Sequence, residues 1–135
     1  MSETASTAFQ GTNPLINPVM YWRVTGFALA AIALLGIIMS IANDGAFISG
    51  FLEFDWGHNI VHVVLAAAAF IFGFAPVSPA IAKTFAIVFG FVYLALGVLG
   101  FFVSDLGILQ LELGENLVHI LIAAWALTAG FLADY

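Results

Sequence analysis

Four long apolar runs alternate with short polar breaks along the chain. They cover residues 21–42, 56–75, 80–104 and 114–133. Each approaches or exceeds the roughly 20 residues a helix needs to cross a bilayer's hydrocarbon. The first is uncharged after Arg23, and the third carries only Lys83 near its start. At membrane depth every backbone polar group needs an internal partner, so these runs predict helices rather than open strands. No series of alternating ten-residue segments suggests a closed barrel.

The breaks carry the chemistry of turns. Asn13, Pro14, Asn17 and Pro18 precede the first run and leave residues 1–18 as a polar tail. No basic segment leads into a small-residue cleavage site, so a removed signal peptide is not expected. Two prolines in residues 75–80, APVSPA, predict a tight loop between the second and third helices. Residues 43–55 and 105–113 are short, acidic and partly apolar, and are expected to lie along the membrane surface.

The pattern repeats. At an offset of 57, Gly57, Asn59, Val61 and His62 match Gly114, Asn116, Val118 and His119, and Gly73-Phe74 matches Gly130-Phe131. At an offset of 61, Leu35-Gly36 matches Leu96-Gly97. The expectation is an all-α membrane protein, a four-transmembrane-helix bundle built from two tandem helical hairpins. The four-helix domain covers residues 19–135, with repeats of about 19–75 and 80–133. Units with an even number of spans insert the same way up, which makes this the parallel kind of repeat, with a pseudo-two-fold along the membrane normal.

Composition and charge narrow the function. The 135 residues are 64% hydrophobic and only 7% charged. A soluble domain is about half apolar and a quarter charged, so lipid must be the solvent for most of this chain. Two basic against eight acidic residues exclude an electrostatic nucleic-acid binder. With no cysteine, neither a disulfide framework nor a thiolate metal site is available. Arg23 and Lys83 fall at one end of the spans, while Asp44, Glu53, Asp55, Asp105, Glu112 and Glu115 fall at the other. Basic residues favour the cytoplasm, which predicts both termini inside. Tyr21, Trp22, Trp56 and Tyr135 lie near the expected interfaces and read as aromatic-belt residues, with Tyr93 and Trp125 deeper.

Two polar clusters open apolar runs: GHNIVH at residues 57–62 and GENLVH at 114–119. At about 100° per residue His58, Asn59 and His62 share one side of a helix, above Ala66, Ala69 and Gly73. Glu115, Asn116 and His119 repeat this above Ala123, Ala126 and Gly130. Small stripes allow close helix approach, so the second and fourth helices are expected to meet along them, with their polar clusters facing. Further small stripes, Gly26, Ala30, Ala33 and Gly36 on the first helix and Ala86, Gly90, Gly97 and Gly100 on the third, read as packing within the bundle.

Three readings fit the cluster. In the first, Asn59, His62, Asn116 and His119 form a structural network that fixes register, in a small structural or accessory subunit without a cofactor. In the second, His58, His62, Glu115 and His119 hold a metal ion, or one or more of the histidines ligates a haem or chlorophyll-type pigment. In the third, the cluster is the outer site of a small transporter or channel subunit. The first is the reading the sequence favours. No nucleophile–base set, phosphate loop or hydrolytic acid pair is visible, so enzymatic activity is not expected. The expected partners are the lipid bilayer and other membrane subunits or further copies of the chain, and not nucleic acid.

Four short spans with N-x-x-H at the starts of the second and fourth (HNIVH, GENLVH) resemble a family of small prokaryotic four-helix membrane proteins of no established activity. The resemblance covers about residues 20–133 and implies a bacterial or archaeal plasma membrane. His58, where the second copy carries Glu115, is a difference between the two halves that the resemblance leaves unexplained.

Overall fold

A computed structural model describes residues 13–134. Four helices, each long and apolar enough to cross a membrane, form an all-α bundle: α1 (Pro18–Ala42), α2 (Trp56–Phe74), α3 (Pro79–Leu99) and α4 (Leu113–Leu132). Their first turns explain where they start. Asn17 caps α1, its side chain accepting from the amides of Val19 and Met20 at 3.0 and 3.1 Å, and Pro18 follows at the first helical position. Asp55 caps α2 by accepting from the His58 amide at 2.8 Å, and Ser78 caps α3 just before Pro79. A Glu115 oxygen accepts from the Glu112 amide at the start of α4.

The helices pair as two hairpins, α1 with α2 and α3 with α4; the hairpins then lean together mainly through α1 against α3 and α4. Small residues make each hairpin tight. Gly26 lies against Ala69 and Phe70, and Gly73 lies against Arg23. In the second hairpin Gly90 lies against Ala126 and Leu127, and Gly130 against Ile87. This corrects the expectation that α2 and α4 meet along their small stripes. Each stripe is used up inside its own hairpin, because a short connection brings its two helices together first. The backbones of α2 and α4 do not pack along one another.

The basic side chains finish the ends of the hairpins opposite the polar clusters. Arg23 Nε donates to the Gly73 carbonyl at 2.7 Å, and Lys83 Nζ donates to the Ala133 carbonyl at 3.2 Å. Both cations therefore sit where a helix exposes its last carbonyls and the negative end of its dipole. Two expected belt residues belong here instead to the core: Tyr21 is 0% and Trp22 2% exposed. They pack edge-on against Trp125 and Phe89, and Trp22 Nε1 donates to the Ala82 carbonyl at 2.9 Å. Near the start of their span, both face neighbouring helices. Trp56 stays 55% exposed, as a belt residue would, and Tyr135 lies outside the described residues. Part of the expected polar tail is structured: Pro14–Ile16 make a 3-10 turn, and the Leu15 carbonyl accepts from Trp125 Nε1 at 2.8 Å.

The connections at the other end fold over the bundle. Residues 43–55, expected as a connection along the membrane surface, contain an antiparallel pair, β1 (Ala46–Ile48) and β2 (Leu52–Glu53). Its entry is a left-handed pair, Asp44 at φ 49° and Gly45 at φ 90°, and any Cβ on Gly45 would strike the Phe54 carbonyl. The two connections also clasp each other. Gly114 N donates to the Phe51 carbonyl at 2.8 Å, and Gln110 N donates to Asp55 at 3.0 Å.

Close packing in the first hairpin is directly testable. A Cβ on Gly36 would collide with Asn59 Oδ1 and come within 3.1 Å of Phe54 Cδ1. Gly36→Ala should lower stability by about 1–3 kcal/mol, the usual cost of overpacking. Thermal unfolding in detergent would measure it, with Ala31→Leu on the exposed face of α1 unchanged.

Candidate functional site

The polar residues of α2 and α4 occupy the first two turns of each helix. His62 lies six residues beyond Trp56, or about 9 Å along the axis. All six, His58, Asn59, His62, Glu115, Asn116 and His119, are buried. They divide into two groups with different surroundings.

The asparagines stay within their hairpins. Asn59 Nδ2 donates to Ser40 Oγ at 2.8 Å, and that hydroxyl donates in turn to the Phe54 carbonyl at 2.9 Å. Asn59 lies against Gly36, and Asn116 lies against Gly100, where a Cβ would overlap its amide. Both fit slots that only glycine leaves open.

The imidazoles and the carboxylate reach across the gap between α2 and α4. His58 and His62 lie with ring centroids 4.4 Å apart, and His58 and His119 lie 5.9 Å apart. His58 Nδ1 is 3.3 Å from Glu115 Oε1. Each histidine offers one nitrogen to a set in which all three atoms lie within 4.8 Å of one another. The expectation that the two polar clusters face one another therefore holds, although the helices carrying them do not pack together. Side-chain length closes a distance that the backbones leave open.

The hydrogen bonding is incomplete. Nδ1 of His58, His62 and His119 and Oε1 of Glu115 are fully buried with no hydrogen-bond partner. An unpaired buried polar group costs about 1–3 kcal/mol, and structures rarely leave several together. Here four belong to adjoining side chains, and Asn59 Oδ1, Asn116 Oδ1 and Tyr21 Oη are unpartnered as well.

Two residues outside the expected set complete the surroundings. Tyr93 of α3 meets His119 edge-on, with centroids 4.9 Å apart and planes at 87°. Nothing in its flanking sequence distinguished it from packing. Asp55 is the second. One oxygen caps α2, the other accepts from Gln110 N, and its carboxylate comes within 3.9 Å of His58 Nδ1. Its position just before α2 marks it as a cap, but its link to the other connection depends on tertiary structure.

Cavities flank the cluster on both sides. One, of about 110 Å³, lies between α1 and α4 under Leu52 and Phe54, and is bounded by all three histidines and Glu115. The other, of about 300 Å³, lies between α2 and α3 and ends on His58 and His119. Apart from these polar groups their walls are almost wholly apolar.

No family model, curated protein or solved structure matches the chain.

The role of Asp55 makes a contrast between two substitutions. Asp55→Ala removes the cap of α2 and the acceptor for Gln110 N, and should lower stability by about 1–2 kcal/mol. Asp55→Asn keeps one acceptor, so it should retain the helix cap, lose the Gln110 link and fall between Asp55→Ala and the wild type. Chemical denaturation in detergent would compare the two.

Proposed function

We propose that this is a multi-pass protein of a prokaryotic plasma membrane, with both termini cytoplasmic, that holds a divalent transition-metal ion between two duplicated hairpins. The ligands are His58, His62 and His119, with the Glu115 carboxylate alongside. One observation carries the reading: three buried histidines each offer a ring nitrogen within 4.8 Å of the other two, and no hydrogen bond engages their Nδ1 atoms or the adjoining Glu115 Oε1. A cation among the rings supplies the partner that the imidazoles lack.

The donor set fits that chemistry. Imidazole suits zinc, copper, iron and nickel, and neutral nitrogen is the form that ligates. Around zinc, with nitrogen at about 2.0–2.1 Å, tetrahedral donors stand roughly 3.4 Å apart. The imidazole nitrogens, within 4.8 Å of one another, need to close by at most about 1.4 Å to reach that spacing. Small rotations about the χ angles supply this.

The other readings have less support. The roughly 110 Å³ space beside all three histidines is below the about 300–1,000 Å³ typical of small-molecule sites, and the about 300 Å³ space that ends on His58 and His119 reaches only its lower bound, so the cluster suits an ion better than a tetrapyrrole. For transport, the buried positions beneath the cluster on α2 and α4 are Ala66, Ala69 and Gly73 and Ala123, Ala126, Ala129 and Gly130, which offer an ion no polar step. The structural reading applies to Asn59 and Asn116, which engage their own hairpins. The orientation rests on Arg23 and Lys83 at one end and the acidic connections at the other. The prokaryotic membrane is what the family resemblance implies.

Elemental analysis of detergent-purified protein supplied with zinc should find about one ion per chain, the stoichiometry of a single shared site. His62→Ala and His119→Ala should each reduce affinity more than tenfold, while Asn59→Ala keeps the metal and loses stability instead. Absence of bound metal from folded wild-type protein would refute the reading, and a Soret band in place of metal would transfer it to a tetrapyrrole.

A further inference from the structure

We infer, resting on the metal reading above, that the ion is held by the three imidazoles alone and keeps an open coordination position for a small exogenous ligand. That ligand is water, hydroxide or a small anion, and it occupies the cavity between α1 and α4. Glu115 stands beside the position rather than filling it.

Three observations support this. The mutually close donor set consists of His58, His62 and His119, and Glu115 is outside it. The Glu115 carboxylate is also tethered: one oxygen accepts from the Glu112 amide at 3.2 Å, and the other lies by His58 Nδ1 at 3.3 Å. Coordination through the tethered oxygen would break that contact, which leaves only the oxygen beside His58 to face the site. Finally, the cavity of about 110 Å³ touches all three imidazoles and Glu115. Liquid water takes about 30 Å³ per molecule, so the space admits a metal-bound water and neighbours but no large ligand.

Sites with three protein ligands and a fourth exchangeable one are the open kind that zinc enzymes use, whereas four protein ligands make a closed structural site. Here the remaining walls, including Leu29, Ile32, Phe54 and Ile122, are apolar. They leave the metal and Glu115 as the polar partners of whatever enters. The Glu115 oxygen facing the cavity is placed to accept a hydrogen bond from a metal-bound water, which would orient that water's lone pairs toward the cavity.

Cobalt(II) substitution gives a direct readout, because its visible bands change when a coordinated water is exchanged. Full-length protein in detergent is loaded with cobalt(II) and titrated with azide. The expected result is a saturable spectral change in the wild type. Glu115→Gln, which still accepts from the Glu112 amide, should hold cobalt within twofold of wild type and respond to azide. Ile32→Phe, which narrows the cavity, should hold cobalt but weaken azide more than tenfold. A cobalt spectrum blind to azide, loss of cobalt in Glu115→Gln, or unchanged azide affinity in a cobalt-loaded Ile32→Phe would each overturn the inference while leaving the metal site standing. Folded wild-type protein that takes up no cobalt would instead sink the metal reading itself, and this inference with it.

Discussion

Everything about this molecule turns on how polar groups are satisfied where water is scarce. The helices satisfy their backbones internally, as any membrane span must. Their ends are closed by Asn17, Asp55 and Ser78 at starts and by Arg23 and Lys83 at finishes. Asn59 has Ser40. Against this background Tyr21 Oη and the Asn59 and Asn116 Oδ1 atoms are buried without partners singly, whereas the three imidazole Nδ1 atoms and Glu115 Oε1 are so on adjoining side chains. The same sequence that caps helices carefully leaves a set of good metal donors unpaired at one point.

The architecture explains how such a point can exist. Glycine and alanine bring the two helices of each hairpin close, as small residues do in membranes where packing replaces the hydrophobic effect. Two compact hairpins then meet less closely, with α2 and α4 held apart. Histidine is long enough to cross the space and leave it incompletely filled, which is why cavities adjoin the cluster. The clasped outer connections cover it, Leu52 and Phe54 closing one side and Leu109 contributing to the other. Tight packing within hairpins and loose packing between them are two consequences of one distribution of small residues.

Much of the fold was legible because membrane spans announce themselves by length and apolarity. The burial of both polar clusters was legible too, since His58, Asn59 and His62 fall on the same face as Ala66 and Gly73. What periodicity could not say was which neighbour that face would meet. It marks a surface as small, and short connections decided that the partner was the adjacent helix. Tyr21 and Trp22 show a related limit. A position near the end of a span is the same distance from headgroups whether it faces lipid or the core, and here it faces the core. Asp55 and Gln110 are far apart in sequence, so their contact belongs to the assembled loops and left no local trace. The strand pair in residues 43–55 did carry its turn residues, Asp44, Gly45 and Gly50, but the acidic and apolar mixture around them read as surface loop.

The difference between the two halves acquires a physical reason from this geometry. His58 and Glu115 are equivalent at the offset of 57, and the bundle brings them face to face at 3.3 Å. Were the two positions occupied by the same residue, like would meet like here. Two glutamates at that distance would repel strongly in a buried setting, and two histidines would supply a fourth imidazole but no carboxylate. One of each is complementary, and the exchange leaves the second matched pair, His62 and His119, free to remain identical. Positions 58 and 115 are thus where a symmetric pair of hairpins has most to gain by differing. The asymmetry also places an acid on one side only of the imidazole set, against the smaller cavity that touches all three rings, which gives an otherwise two-sided cluster a single polar front.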